Sequence, residues 1–187
     1  MNEKEKMLSG ELYNPLKDSL PKERENAKRL CFKFNQTPPH RTMKRVQLIS
    51  KILGKTGKNY WIEQPFQCDY GYNIEIGENF YSNHNLIILD PAKVTFGDNV
   101  FIGPNCGFYT PEHPIDAETR ITGLEYAKPI TVGNNVWFGG NVVVLGGVSI
   151  GDNVVIGAGS VVTKDIPANT VAVGNPCRVI KELPQSF

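Results

Sequence analysis

The sequence lacks the features by which several common classes of protein are recognised. It has no long apolar run, so no segment predicts a membrane span. The first residues, Met1 to Lys6, are mostly charged and predict no secretory signal. The formal net charge is only +1, which gives no electrostatic reason to expect nucleic acid as a partner. These absences favour a cytoplasmic protein that binds neither membranes nor nucleic acids.

Cysteine and histidine are also scarce. The four cysteines are widely separated and form no C-x-x-C pair, which indicates neither a disulfide framework nor a zinc site. The three histidines are His40, His84 and His113, and no cysteine or carboxylate accompanies them at the spacing of metal ligands. We therefore expect reduced thiols and no metal site.

What the sequence does have is a six-residue repeat between Ile130 and Pro176. The first apolar column consists of Val132, Phe138, Val144, Ile150, Ile156 and Val162. A second column, two residues earlier, consists of Ile130, Val136, Val142, Val148 and Val154. A third column, which can form sharp corners, consists of Asn135, Asn141, Gly147, Asn153, Gly159 and Asp165. This period predicts a parallel β-helix rather than a sheet of hairpins, because hairpins do not keep one phase over six consecutive turns.

The N-terminal residues do not follow this period and predict helices instead. Ser19 is a candidate N-cap, and an apolar stripe at helical spacing follows it. The stripe consists of Ala27, Leu30, Cys31 and Phe34. A second apolar pattern ends at Gly54, a candidate C-cap. Apolar residues between Met7 and Tyr13 predict a short leading helix.

The patterns divide the chain into three parts. We expect residues 1–58 to form a helical cap, because a β-helix needs a cover at its exposed end. Residues 59–178 would form the β-helix and residues 179–187 a tail. A loop at 109–129 interrupts the repeat, and loops of this length in compact domains are usually functional or disordered. A widened corner is predicted near Asp90, where the spacing of the apolar residues slips by two.

Residues that interrupt a regular solenoid are the first candidates for chemistry. His113 lies in the loop, and an imidazole is suited to act as a general base near neutral pH. A solvated loop histidine is the alternative. His84, between two asparagines, is more simply explained as a polar corner residue, and His40 as a surface residue.

The end of the repeat combines cations with small residues. Lys164, Arg178 and Lys181 could hold phosphates, although ordinary surface charge is the simpler explanation of these cations taken alone. The small residues include Gly139–Gly140, Gly146–Gly147, Gly157–Gly159 and Thr163, which could let a ligand lie against the backbone. A long thin ligand that ends in phosphates would suit both features.

With these residues in view, the chain resembles the hexapeptide-repeat acyltransferases, and within them the maltose/galactoside O-acetyltransferase group. The resemblance covers nearly the whole length. It is carried by Glu11-Leu12-Tyr13, Cys68-Asp69-Tyr70-Gly71-Tyr72-Asn73-Ile74, Asn79-Phe80-Tyr81-Ser82-Asn83, His113-Pro114, Gly123-Leu124-Glu125-Tyr126, Ile130 to Trp137, Gly157 to Asp165 and Gly174 to Ile180. It implies a left-handed parallel β-helix, a homotrimer with active sites between subunits, and transfer of acetyl from acetyl-CoA to a sugar hydroxyl without a metal.

The resemblance also implies roles for individual residues. His113 would be the general base and Asn83 would lie beside it, while Asp69, Asp90 and Glu125 would face the acceptor. On the donor side, Gly140 and Ala158 would line the pantetheine slot and Trp137 would help to wall it. The residues at the CoA end would be Thr163, Lys164, Arg178 and Lys181.

Two departures bear on the acceptor. Pro91 follows Asp90 where the galactoside branch has a second Asp, and Pro15 falls near that branch's N-terminal acceptor-binding Asp. The departure at Pro91 favours the maltose-type branch, and the one at Pro15 leaves that Asp of the galactoside branch without a clear match. Two alternatives stay open at this point: the same fold and donor with a non-sugar acceptor such as an antibiotic, or a β-helix that binds without catalysis.

Overall fold

The chain winds along three parallel sheets in a fixed order, and the structure, a computed structural model, describes residues 1–184. Sheet I contains β1 (Tyr60–Ile62), β4 (Phe80–Ser82), β7 (Phe101–Ile102), β12 (Trp137–Phe138), β15 (Val154–Ile156), β17 (Thr170–Val173) and β18 (Arg178–Glu182). Sheet II contains β2 (Phe66–Cys68), β5 (Leu86–Leu89), β8 (Gly107–Tyr109), β13 (Val143–Leu145) and β16 (Val161–Val162). Sheet III contains β3 (Ile74–Ile76), β6 (Val94–Phe96), β11 (Ile130–Val132) and β14 (Ser149–Ile150). The predicted parallel β-helix is thereby confirmed as a three-sided prism.

The apolar columns of the repeat form the interior of this prism. Every residue of the first two columns is buried, with no more than 2% of its surface exposed. An edge-to-face stack of four phenylalanines runs through the same interior, with ring centroids 4.9–5.2 Å apart. The stack consists of Phe80, Phe96, Phe108 and Phe138. The repeat therefore supplies a continuous core along the axis.

The third column makes corners, as predicted. Asn135, Asn141 and Asn153 have φ of 58°, 58° and 54°, in the left-handed region that asparagine tolerates. Their side chains also link successive turns, since Asn99 donates an amide hydrogen bond of 3.0 Å to Asn135. Asp165, the last member of the column, is not among the residues with positive φ.

The number of residues in each turn shows where the solenoid widens. Asn134 bonds to Asp152, 18 residues later, as three hexapeptides require. Before the interruption, Asn79 bonds to Asn99, 20 residues later, which confirms the predicted two-residue insertion. The corresponding partners across the interruption are 36 residues apart. The extra length therefore goes into corners, not into longer strands.

The interruption is an arm, residues 110–129, that leaves the prism and returns to it. Its ends pair as antiparallel strands, β9 (Pro111–Glu112) and β10 (Tyr126–Ala127). Between them lies the helical turn α4 (Ala117–Arg120), which Asp116 caps through the Thr119 amide. Ile115 and Ile121 are exposed, by 92% and 84%, so the apolar residues at the tip of the arm do not pack within this chain.

Three helices precede the prism: α1 (Glu3–Ser9), α2 (Leu20–Asn35) and α3 (Thr42–Ile52). Helix α2 follows Ser19, as predicted, and buries Ala27, Cys31 and Phe34. The thiol of Cys31 lies 3.6 Å from that of Cys68 on β2, so this face packs directly on sheet II. All four cysteines are free.

Two details of the cap differ from the prediction. The leading helix spans residues 3–9 and ends at Gly10, which has φ of 79°, so Leu12 and Tyr13 lie beyond it. Helix α3 ends with Leu53, not Gly54, as its C-cap. Gly54 serves another purpose, because a Cβ there would lie 2.1 Å from the carbonyl oxygen of Tyr72.

The far end of the chain is also more regular than predicted. Strand β18 runs antiparallel to β17 along the edge of sheet I, so residues 179–182 of the segment expected to be a tail continue the sheet. The last three residues of that segment, 185–187, lie outside the described residues. No helix among the described residues is both long and apolar enough to cross a membrane.

Candidate active site

The predicted site residues divide between two edges of the prism. Corner II–III, where the chain passes from sheet II to sheet III, comprises residues 69–73, 90–93, the arm, 146–148 and 163–165. Corner I–II comprises residues 63–65, 83–85, 103–105, 139–141, 157–159 and 174–176. Corner II–III carries Asp69, Asp90, His113, Glu125, Thr163 and Lys164, whereas corner I–II carries Asn83, Gly140 and Ala158. One chain therefore presents two separate sets of candidate residues.

His113 follows β9 at the base of the arm and is half exposed. Its Nδ1 atom lies 3.0 Å from the carbonyl oxygen of Leu124. Because a carbonyl oxygen only accepts hydrogen bonds, the proton of the neutral ring belongs on Nδ1. The Nε2 atom then carries the lone pair and faces Glu125, whose Oε1 atom is 3.8 Å away. This arrangement leaves Nε2 able to accept a proton from a bound molecule.

Glu125 is held by the N-terminal segment. The phenol of Tyr13 donates a 2.8 Å hydrogen bond to the Oε2 atom of Glu125. The two residues also exchange backbone hydrogen bonds of 2.9 and 3.1 Å, as an isolated antiparallel bridge. Tyr13 is fully buried. The position of Glu125 thus depends on a residue 112 positions away.

A cleft of about 210 Å³ opens beside this group. It is lined by Pro15, Leu16, Arg24, Lys28, Asp69, Tyr70, Pro91 and Glu125. Arg24 donates hydrogen bonds to the Tyr70 hydroxyl, at 2.7 Å, and to the Pro15 carbonyl, at 2.6 Å. Burial raises the pKa of Asp69, and the Arg24 charge opposes that rise. Carboxylates, cations and a phenol around one cleft suit a ligand with several hydroxyl groups.

Asp90 lies beneath the cleft rather than on its wall. It is fully buried, and its carboxylate accepts hydrogen bonds from the backbone amides of Asp69, Tyr70 and Gly71, at 3.1, 2.8 and 2.7 Å. Burial raises the pKa of Asp90 to about 6, against the opposing effect of the amides. Its carboxylate therefore fixes the turn that carries Asp69.

Corner I–II contrasts with this arrangement because small residues occupy it. A Cβ on Gly103 would lie 2.6 Å from the Gly140 nitrogen, and a Cβ on Gly139 would lie 2.6 Å from the Ala158 nitrogen. Such close stacking of turns requires residues with little or no side chain. These turns therefore present mainly backbone at the surface.

The small residues that look like one strip in the sequence belong to two corners. Gly139–Gly140 and Gly157–Gly159 stack at corner I–II, but Gly146–Gly147 and Thr163 lie at corner II–III. A step of six residues moves the chain to the next face, and only residues one full turn apart lie above one another. The expectation of a single strip was wrong for this reason.

The other predicted donor residues are exposed. Trp137 projects from sheet I with 56% of its surface exposed, next to Phe101 in the parallel register. Lys164 lies in the last turn at corner II–III, while Arg178 and Lys181 lie on β18. None of these three cations takes part in an ion pair within residues 1–184. They are therefore available to an anionic ligand.

Other candidate residues are kept apart. Among the described hydrogen bonds and ion pairs, none joins Asn83 to His113. The Asn83 side chain accepts a 2.7 Å hydrogen bond from the His84 amide, and His84 bonds to the Gln64 carbonyl at 2.6 Å. His84 is thus the polar corner residue that the sequence suggested. Within residues 1–184, no group of three or more His, Cys, Asp and Glu is placed to hold a metal.

The residues by which the N-terminal segment lines the cleft could not be identified from the sequence. The sequence patterns place Tyr13 only in the leading helix and in the family resemblance, and they give no role to Arg24 or Lys28. Arg24 is partly buried and lies beside Leu20 and Ala27 on α2, while Lys28 is exposed, and charged side chains on a surface helix are usually interpreted as solvated. Their proximity to Asp69 is visible only after the helix has packed on the prism.

Comparison with known proteins connects this geometry to a family. The family model described as maltose acetyltransferase hexapeptide capping motif matches residues 6–57, and the bacterial transferase hexapeptide model, of six repeats, matches residues 129–164. The chain is 49% identical over 179 residues to the galactoside O-acetyltransferase of Escherichia coli, covering 96% of this chain and 88% of that protein.

Solved structures agree in fold over almost the whole length. A maltose O-acetyltransferase from Clostridium difficile 630 superposes with a TM-score of 0.98 at 54% identity, covering 99% of both chains. A galactoside acetyltransferase in complex with coenzyme A superposes with a TM-score of 0.96 at 48% identity, covering 98% of this chain and 92% of that chain. The prism is the left-handed parallel β-helix of hexapeptide-repeat proteins.

Proposed function

The chain belongs to the maltose/galactoside O-acetyltransferase family of hexapeptide-repeat transferases, and from this premise we propose that it transfers acetyl from acetyl-CoA to a hydroxyl of a small sugar. The observation that carries the proposal is the oriented imidazole of His113 at the edge of a polar cleft. A cytoplasmic location accords with this activity, because acetyl-CoA is made and used there and the four thiols are free.

The proposed reaction is a direct attack on the thioester. The acceptor hydroxyl oxygen bonds to the acetyl carbon while Nε2 of His113 takes the hydroxyl proton. The tetrahedral intermediate then breaks its carbon–sulfur bond, and the imidazolium returns the proton to the departing CoA sulfur. Glu125, 3.8 Å from Nε2, favours the imidazolium by charge attraction. The products are an acetyl ester and free CoA.

The acceptor would lie in the 210 Å³ cleft. We assign contacts with its hydroxyls to Asp69 and Glu125, with Arg24 as a further donor. Asp90 has both carboxylate oxygens occupied by backbone amides, so we assign it the positioning of Asp69 instead of contact with the acceptor.

The prolines of the cleft support a maltose-type acceptor. Pro15 and Pro91, the two departures from the galactoside branch, both line the cleft. Neither can supply the carboxylate that the branch has near these positions, so the polar contacts available to a galactoside differ here.

Acetyl-CoA would lie along corner I–II. The backbone around Gly140 and Ala158 offers a narrow path for pantetheine, and exposed Trp137 would wall it. Arg178 and Lys181 on β18 would hold the nucleotide end, where cations bind phosphates. Thr163 and Lys164 lie at corner II–III, so they would join this end from a neighbouring subunit. A related galactoside acetyltransferase has been solved with coenzyme A, which supports this choice of cosubstrate.

A homotrimer would unite the two corners. Because one chain keeps Asn83 and His113 on different edges, we propose that Asn83 of a neighbouring subunit approaches His113 across a threefold interface. The exposed apolar residues support such an interface. They include Phe101 and Trp137 on sheet I, and Ile115 and Ile121 at the tip of the arm.

An acceptor panel tests the activity. The protein would be given acetyl-CoA with maltose, glucose, a galactoside, an amino sugar or a hydroxylated antibiotic, and released CoA would be measured as free thiol. We expect saturable release with a neutral sugar. Release with the antibiotic alone would favour the non-sugar alternative, and acetyl-CoA binding without release for any acceptor would favour a binding protein.

Complementation tests the shared site. His113→Ala and Asn83→Ala subunits, each inactive alone, would be co-expressed in equal amounts. If each site takes His113 from one subunit and Asn83 from its neighbour, random mixing restores about one quarter of the sites. Mixtures no more active than the separate variants would place both residues in one subunit's site or exclude one of them.

A further inference from the structure

The two atoms that face the ring nitrogens of His113 belong to consecutive residues of the arm. The Leu124 carbonyl lies 3.0 Å from Nδ1, and the Glu125 carboxylate lies 3.8 Å from Nε2. These two residues therefore control both sides of the imidazole. The neighbouring part of the arm, from Ile115 to Gly123, is mostly exposed and gives Leu124 and Glu125 little support.

The segment between α1 and α2 holds Glu125 in place. Tyr13 makes two backbone hydrogen bonds to Glu125 and a third from its phenol to the carboxylate. The Tyr13 ring is itself fixed, because it packs in a buried cluster with Met7, Leu20 and Tyr70. A rigid N-terminal anchor therefore grips the arm next to the histidine.

The phenol of Tyr13 binds one oxygen of the Glu125 carboxylate and leaves the other for His113. Oε2 is occupied by Tyr13, which leaves Oε1 directed at the imidazole. Burial and the nearby Glu125 raise the pKa of Tyr13, so its hydroxyl remains protonated and keeps donating over the neutral range. Without this donor the carboxylate would be free to rotate away from Nε2.

We propose that Tyr13 is a positioning residue for His113, acting through the carboxylate of Glu125. The inference rests on the proposed acetyl transfer, in which the imidazole of His113 becomes positively charged as it takes the acceptor proton. A carboxylate fixed at 3.8 Å stabilises that charge, whereas a mobile one does so less. The N-terminal cap thereby contributes to the rate of reaction and not only to stability.

The kinetic test uses Tyr13→Phe, which keeps the ring and the backbone bonds but removes the hydroxyl. We expect kcat to fall about threefold to tenfold, the range that corresponds to the net contribution of a typical hydrogen bond, with the KM for acetyl-CoA unchanged. Tyr72→Phe is the matched control, because its phenol also donates to a carboxylate, Glu23, at 2.7 Å. Its kcat should stay at the wild-type value, and an equal fall in both variants would overturn the proposal.

A double-mutant cycle separates positioning from general structural damage. In a Glu125→Gln background, Tyr13→Phe should have little further effect on kcat, because both changes disrupt the same link. If the two effects multiply, Tyr13 does not act through Glu125.

A spectroscopic readout does not depend on turnover. The chain has only three histidines, so ¹⁵N-histidine spectra can be assigned with one substitution for each. Tyr13→Phe should shift the ring signals of His113 and leave those of His40 and His84 unchanged; unshifted His113 signals would contradict the proposal. Expected shifts in a protein that acetylates no acceptor would sink the proposed function while leaving the link between Tyr13 and His113 intact.

Discussion

Corner II–III and corner I–II belong to the same solenoid, yet they differ in almost every chemical respect. Corner II–III gathers carboxylates, cations and an imidazole around a cleft, while the later turns of corner I–II, from Gly103 to Gly159, are rich in glycine. The difference follows from how closely these turns stack. Where an added Cβ would lie 2.6 Å from the next turn, as at Gly103 and Gly139, only glycine fits, and the corner offers mainly backbone there.

Corner II–III escapes this limit because it is irregular. Its turns contain 20 residues before the arm, and partners across the arm are 36 residues apart. The added residues widen this corner and let side chains such as Asp69 and His113 reach one cleft or its edge. A regular repeat is thus suited to hold a long ligand, and its interruption is suited to hold reactive groups.

The largest expected effect tests the role of His113 at corner II–III. His113→Ala should lower kcat by about 10²–10⁴-fold, the usual contribution of a general base, and leave acetyl-CoA binding intact. Steady-state kinetics and calorimetric titration of CoA would measure the two quantities. His40→Ala, an exposed residue before α3, is the control and should retain full activity. Near-wild-type turnover in His113→Ala would remove the base assignment.

The β-helix could be predicted from the sequence far better than the cleft. The columns from Val132 to Val162 are a local pattern, and each member is buried as the period requires. The bond between Tyr13 and Glu125 joins residues 112 positions apart, and nothing local in either segment specifies it. Asp90 illustrates the same limit, because only the fold shows that its carboxylate is occupied by three backbone amides.

The next effect concerns the core on which both corners rest. Phe108→Ala should lower the free energy of unfolding by about 3–5 kcal/mol, because it removes the ring between Phe96 and Phe138 and leaves a cavity. Urea denaturation at a fixed protein concentration would measure it. Met43→Ala on the exposed face of α3 is the control and should change the value little. If the two variants were equally stable, the phenylalanine stack would not support the prism.

A smaller effect concerns Asp90, which is buried beneath the cleft at corner II–III. The pKa of Asp90 in the folded protein is raised to about 6 from an ordinary value of 3.8. The native state therefore binds more protons than the unfolded state between these values, and the stability due to Asp90 is present below pH 3.8 and lost as the pH rises through 6.

The loss amounts to at most about 3 kcal/mol, by the usual conversion of a pKa shift. Urea denaturation of the wild type and of Asp90→Asn at several pH values between 4 and 7 would isolate it. The wild type should lose more stability than the variant over this range. Parallel pH profiles would show that Asp90 titrates alike in both states.

The smallest effect tests corner I–II, and the prism provides a matched control. Ala158 stacks on Gly139 at corner I–II just as Ala168 stacks on Gly151 at the corner between sheets III and I. A Cβ added to Gly139 or Gly151 would lie 2.6 or 2.5 Å from the nitrogen of the respective alanine. Both alanines are exposed. A larger side chain therefore meets the same local packing at either site and differs only in whether it blocks the proposed pantetheine path.

Ala158→Leu should raise the KM for acetyl-CoA about tenfold, within the 1–3 kcal/mol that overfilling a packed site usually costs, and leave the KM for the acceptor unchanged. Ala168→Leu should leave both constants unchanged. Equal effects of the two substitutions would mean that corner I–II has no special role in binding acetyl-CoA. A selective effect would place the donor against backbone and the acceptor against side chains, as the stacking of the turns leads us to expect.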